Sequence, residues 1–254
     1  MPRYFIKLAF NGTVYHGWQL QPNALTVQQV LSEALSMILR HDTPITGCGR
    51  TDTGVHAARF FAHFDLEPAL TPFACTKLAF KLNAFLPKDI SIESIFPVPD
   101  EAHARFSALS RTYEYRISRK KNPFLKEFSH QYTLPLDLNK MNDYAAIIKE
   151  YRDFSCFSKS HTETKTNDCK ITEAFWFEDQ DQLIFRITAD RFLRNMVRAI
   201  VGTLIEAGRG KIDETALRAI ITSGDRCEAG KSMPACGLFL TEVRYPEALF
   251  SACS

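Results

Sequence analysis

The chain has 254 residues, 45% of them hydrophobic, and 31 basic against 29 acidic side chains give a net charge of +2. That is enough apolar content for one large domain or two moderate ones, it excludes disorder, and so balanced a charge does not by itself announce a nucleic-acid partner. No apolar run approaches the roughly 18 residues of a membrane span, and the first residues enter a strand-like pattern with no signal-peptide core.

Residues 4–10 alternate as a strand and end at Asn11-Gly12, a turn signal. Thr26-Val27-Gln28-Gln29 has the form of a capping box, after which Val27, Val30, Leu31, Ala34, Leu35, Ile38 and Leu39 recur at helical spacing. Gly49-Arg50-Thr51-Asp52-Thr53-Gly54-Val55-His56-Ala57 then reads as a tight polar loop on the approach to a strand at 60–64. Its glycines let the backbone come close to a ligand. Asp52, held by N–H groups and a nearby cation, would stay ionised and suit attack on an electrophile. Judged on its loop alone, such an aspartate is more commonly a turn or cap residue. Thr71-Pro72 opens a second helix with Phe73, Leu78, Ala79 and Leu82 on its apolar side, because proline fits the first helical turn. A strand at 90–96 follows. Pro97-Val98-Pro99-Asp100 begins the boundary region, and the division is expected between 1–105 and 106–254.

The second half repeats the scheme. Arg111, Arg116, Arg119, Lys120, Lys121 and Lys126 lie within sixteen residues, opposed only by Glu114. This is either a solvated face or a strip that tracks phosphates. Tyr113, Tyr115 and Ile117 alternate as a strand, which puts both tyrosines on one side. They could stack an unpaired base or fill the core, with at least one expected to be buried. A helix at 138–151 carries Met141, Tyr144, Ala145 and Ile148. A polar loop at 158–169 and strands at 171–177 and 183–189 come next.

A helix at 192–207 is stopped by Gly208 and Gly210. Leu193, Met196, Val197, Ile200 and Leu204 form its core stripe, with Arg191, Arg194 and Arg198 on a neighbouring arc. Cations at a helix start oppose the macrodipole, so these arginines want phosphates, acidic residues or structural salt bridges as partners. Asp213 caps a helix that runs to Ser223 and closes at Gly224, and 238–245 is the last strand. The order implies an α+β fold in two halves on largely antiparallel sheets.

Seven cysteines, at 48, 75, 156, 169, 227, 236 and 253, include no C-x-x-C pair and fit reduced thiols in a cytoplasmic protein. Cys156, His161 and Cys169 come nearest to a metal cluster, at a spacing that matches no common zinc pattern. His56 and His103 read as hydrogen-bonded structure rather than catalysts. Phosphate-loop, dinucleotide and zinc-protease motifs are all missing.

Taken together, several ordered strings resemble the TruA family of tRNA pseudouridine synthases. Tyr15-His16-Gly17-Trp18-Gln19 with Thr26-Val27-Gln28 resembles its first block, and residues 49–57 its catalytic loop. Ala104-Arg105-Phe106-Ser107-Ala108 with Arg111-Thr112-Tyr113-Glu114-Tyr115 resembles its third. Asp153-Phe154 with Phe157, then 192–202 with Arg194-Asn195-Met196-Val197-Arg198, and finally Gly237-Leu238, resemble later ones. Thr53 stands where the family usually has alanine, and 158–169 departs from the commoner bacterial version.

The resemblance implies two ferredoxin-like halves joined in one extended, mainly antiparallel sheet, with helices packed on it and a catalytic cleft between the halves. It implies isomerisation of uridine to pseudouridine at positions 38–40 of the tRNA anticodon stem-loop, by a homodimer that needs no cofactor or metal. By the same resemblance, Asp52 is the nucleophile and Arg198 its ion-pair partner. Tyr113 stacks on the base and is a candidate for moving the C5 proton. Arg50, Arg194 and Arg111 bind the flipped-out nucleotide and its surroundings, with Lys120 and Lys121 of the basic strip. Two alternatives stand beside this: an RNA-binding protein on the same scaffold, and the same isomerase acting on another RNA.

Overall fold

The computed structural model describes residues 1–159 and 166–250. It divides into two compact units, one formed by Met1–Leu109 with the segment from Leu240 onward, the other by Ser110–Phe239.

The first unit follows the order β1 (Arg3–Phe10), α1 (Val27–Leu39), β2 (Thr46–Gly47), β3 (His56–Asp65), α2 (Pro72–Phe85) and β4 (Ile90–Val98). β1 lies between β4 and β3 and is antiparallel to both, and β2 pairs with the far side of β3. Strand alternation sends Tyr4, Ile6 and Leu8 to one face of β1 and Phe5 and Lys7 to the other. Tyr4, Phe5, Ile6, Leu8, Phe60 and Phe64 are all buried, at roughly 1.5–3 kcal/mol of hydrophobic stabilisation for each large side chain. Thr26 caps α1 by accepting from the Gln29 N–H, but Gln29 donates its own amide to Glu33, so only half of the predicted capping box forms. Thr71 caps α2 in the same way.

The second unit comprises β5 (Ser110–Ser118), β6 (His130–Gln131), α3 (Leu138–Ile148), β7 (Ile171–Asp179), β8 (Gln182–Ala189), α4 (Met196–Gly208) and α5 (Glu214–Ser223). β8 runs antiparallel to both β5 and β7, while the short β6 is parallel to β5. α3 packs on β7 and α4. The α3–α4 approach is close: a Cβ on Gly208 would lie 2.6 Å from Met141. β9 (Leu238–Arg244) ends the described strands, nine in all beside five helices, so the α+β class predicted from the sequence is realised.

Several boundaries differ from the sequence reading. Residues 106–109 stay with the first unit, because the Leu109 N–H donates to the Arg244 carbonyl and the Ser107 N–H to that of His103. The chain returns to that unit at Leu240, where the Tyr245 hydroxyl donates to the Ala104 carbonyl and its ring meets Phe5 and Phe61 edge-on. β3 begins at His56 rather than at 60, since Ala57 still pairs with Phe10 across a register shift. α3 stops at Ile148, three residues short. Phe73, expected on the apolar side of α2, is 76% exposed, and Cys75 takes the buried place. The largest correction concerns α4. It starts at Met196, not 192, because Asn195 adopts a left-handed conformation (φ 66°) that interrupts the helix.

Candidate active site

The Asp52 loop is fixed from both flanks by backbone contacts. Gly54 has φ 77°, a left-handed value natural to glycine. Its N–H donates to the Tyr15 carbonyl, and the Val55 N–H donates to that of Asp52 at 3.1 Å. Two neighbouring glycines permit the approach: a Cβ on Gly12 would lie 2.0 Å from the Val55 oxygen, and one on Gly17 2.2 Å from the Thr51 oxygen. The Gly12 N–H donates to His56 Nδ1, which makes that buried histidine an acceptor. Beneath the loop, Tyr15 is buried and donates its hydroxyl to Asp89 at 2.7 Å. Burial, reinforced by that bond, pushes its pKa up, so it stays a donor. Trp18 stacks on Phe60 at 4.2 Å. Within this cradle Asp52 is half-buried, and Arg50 is exposed two residues before it.

His103 accepts the N–H groups of Arg105 and Phe106 through Nδ1, and His63 accepts that of Ala104. Burial lowers both, His63 to about 4. Neutral acceptors at neutral pH, they cap a turn rather than transfer protons.

In the second unit Tyr113 and Tyr115 separate in role. Tyr115 is fully buried and donates to the Pro234 carbonyl, its pKa raised by burial. Tyr113 is half-buried, and its ring meets Phe192 edge-on at 5.0 Å. Arg198, in the first turn of α4, donates through Nε to the Met233 carbonyl at 2.6 Å, while the Met233 N–H donates to the Arg198 carbonyl. The 229–233 segment can lie this close because a Cβ on Gly202 would fall 1.9 Å from the Lys231 oxygen. Arg226 clamps the same segment through the Ala229 and Gly230 carbonyls and Ser232.

Arg191 and Arg194 precede α4, so they do not share a helical arc with Arg198, and only Arg198 faces the macrodipole. Arg194 is exposed, and its carbonyl accepts the Lys159 N–H. Arg111 donates to the Asp190 carbonyl at 2.8 Å.

The basic strip is not one continuous feature. Arg111 sits opposite Ala189 at one end of β5. Lys120, paired with Asp181 at 2.8 Å, and exposed Lys121 lie beyond the other end, roughly 23 Å of strand away. Between them Arg116 engages Glu114 and covers the Phe239 ring, and Arg119 caps the Tyr132 and Leu134 carbonyls. Of the residues weighed for a metal, His161 lies outside the described residues. Burial pushes the Cys156 and Cys169 thiols up to about 12, which makes them poor ligands.

Sequence reasoning passed over Asp89, which a side chain 74 positions away reaches, and Arg226 with the 229–233 segment, which matter through their approach to Arg198 and Gly202. Asn195 stood in a quoted string, but its left-handed backbone had no signal there. Gly12, Tyr15 and Gly17 stood in or beside quoted strings, but their packing against the Asp52 loop had no local signal.

A family model described as tRNA pseudouridine synthase matches residues 151–246. The chain is 51% identical over 250 residues to the tRNA pseudouridine synthase A of Parabacteroides distasonis, covering 98% of each. It is 52% identical over 252 residues to that of Porphyromonas gingivalis, covering 98% of this chain and 100% of the relative. The corresponding protein of Ruminiclostridium cellulolyticum is 37% identical over 248 residues, with 96% and 100% covered. Similarity of this extent, running end to end through both units, shows that the chain belongs to the tRNA pseudouridine synthase A family of isomerases, which convert uridine to pseudouridine.

Proposed function

We propose that this isomerase acts on tRNA at positions 38–40 of the anticodon stem-loop, with Asp52 as nucleophile toward a flipped-out uridine. The observation that carries the reading is the cradle of the Asp52 loop. A turn aspartate needs no such scaffold, whereas a nucleophile must be held at fixed geometry to react.

Asp52 attacks C6 of the uracil or C1′ of the ribose, and the N1–C1′ bond breaks. The uracil rotates, C5 bonds to C1′, the Asp52–carbon bond breaks and returns its electron pair to the carboxylate, the C5 proton departs and N1 ends protonated. Atoms and electrons balance within the nucleotide. A base inside a helical stack cannot reach an enclosed carboxylate, so the uridine leaves the stack first. Arg198 supplies the cation that keeps Asp52 ionised, and the half-buried face of Tyr113 stacks on the base and moves the C5 proton. Arg50, Arg111 and Arg194 hold the surrounding phosphates, with Lys120 and Lys121 as outlying contacts. The β-α-β-β-α-β order of the first unit supports a ferredoxin-like half. In this reading a second such half joins it in one sheet, and the protein works as a homodimer.

The test is pseudouridine mapping on unmodified tRNAs that carry uridine singly at 38, 39 or 40, beside a tRNA with none there. Product confined to those positions is expected. Product elsewhere in the tRNA, or only on another RNA, overturns the positional assignment.

A further inference from the structure

β3 presents two faces. Phe60 packs with Phe10 and Trp18 on one, and its neighbours Arg59 and Phe61 point to the other. On that second face lies an open groove of about 670 Å³, lined by Lys7, Arg59, Phe61, Phe96, Arg244 and Tyr245 among others. Its size falls within the range of small-ligand sites. The aromatic floor is built: Tyr245 meets Phe61 edge-on at 5.2 Å, and Phe96 packs against Phe5 and Phe250.

The cations at the groove differ. Lys7 pairs with Glu93, and Arg244 with Glu242 at 3.2 Å. Arg59 is exposed and has no ion pair among the described residues. Glu247 also lines the groove, so an anionic ligand must present its charge on the Arg59 side. An apolar floor of tilted rings, of which Phe96 and Phe250 are half-exposed, beside one guanidinium suits a ring that carries an adjacent anion, which is the chemistry of a nucleotide.

The groove is also near the proposed chemistry along the chain. β3 leaves the Asp52 loop at His56 and reaches Arg59 about 10 Å further on.

We infer that this groove is a second nucleotide site for the RNA substrate, its aromatic floor taking an unpaired base and Arg59 the neighbouring phosphate. The inference rests on the RNA-substrate reading above. The phosphate contact sets affinity and register, while the reacting groups lie elsewhere.

The experiment measures tRNA binding over a salt series, together with steady-state kinetics, for wild type, Arg59→Ala and Arg59→Lys. Arg59 is exposed, so the variants should fold, and melting curves check this. Arg59→Ala is expected to raise Kd and KM about tenfold with kcat unchanged, and to lower the salt slope by about 0.7. Arg59→Lys should restore most of the slope, because lysine keeps the charge. An unchanged Kd and slope in Arg59→Ala, with wild type active, overturns the groove and leaves the proposed function standing. A change in sedimentation mass with no change in Kd also overturns it, by making the face a contact between copies of this chain. Wild type that binds tRNA through Arg59 yet forms no pseudouridine supports the groove and defeats the proposed function instead.

Discussion

Tyr15 shows how much of the site depends on residues that carry no chemistry. Its carbonyl receives the Gly54 N–H and its buried hydroxyl is tied to Asp89, so one residue links the Asp52 loop to the start of β4. Tyr15→Phe removes only the hydroxyl. It is expected to cost about 1 kcal/mol of stability and to lower kcat more than it raises KM, since the loop stays but loses an anchor. Equal kcat in the variant would show that the loop needs no such tie. His63 gives a pH prediction. Its folded pKa of about 4 lies below the ordinary 6.5, mainly because of burial, with Arg3 and His103 adding repulsion and Asp65 opposing them. The fold therefore holds this histidine neutral, and its contribution is complete above pH 6.5 and lost as pH falls toward 4. In acid titrations of stability, His63→Gln should show a shallower decline than wild type between those limits. At this scale Asp52 and Arg50 stood out in the sequence through the resemblance of residues 49–57, within the ordered strings of the whole chain, to a family's catalytic loop, since the loop alone favours a turn aspartate. The sequence could not expose Asp89, because a lone aspartate before a strand looks the same whether or not a tyrosine reaches it.

Elements were legible where periodicity and caps agreed. Thr26, Thr71, Asp137 and Asp213 each cap a helix through a side-chain oxygen; the sequence reading placed all four helix starts and passed over Asp137 as a cap. α4 was misread because Leu193 continues the apolar spacing while the backbone at Asn195 turns left-handed, a conformational choice that hydrophobic pattern does not encode. As a result Arg194 lies outside the helix that carries Arg198. α4 also yields a prediction about fit. Gly202→Ala would drive a methyl into the Lys231 carbonyl, and because that contact is backbone, the 229–233 segment must shift. Overpacking of this kind costs about 1–3 kcal/mol. The same shift takes the Met233 carbonyl away from Arg198, so urea unfolding should record the destabilisation and activity should fall further than the folded fraction explains.

For the whole molecule, the near-neutral total charge gave little guidance, and the location of the cations gives more. Arg116 and Arg119 serve the fold, whereas Lys120 and Lys121 remain at the surface. If they meet phosphates, Lys120→Ala with Lys121→Ala should lower the salt slope of tRNA binding by about 1.4–1.8. An unchanged slope would remove them from the binding surface. A division into two parts was the expectation from the repeated order of elements. The return of the chain to the first unit at Leu240 was not legible, because the contacts that draw Tyr245 to Ala104 join residues 141 positions apart. The central claim is that Asp52 performs the chemistry on tRNA. Its most direct test compares wild type with Asp52→Ala for pseudouridine formation and for affinity toward the same unmodified tRNA. The account predicts product from wild type alone, with the variant binding within a few-fold of wild type. Pseudouridine formed by Asp52→Ala would contradict it.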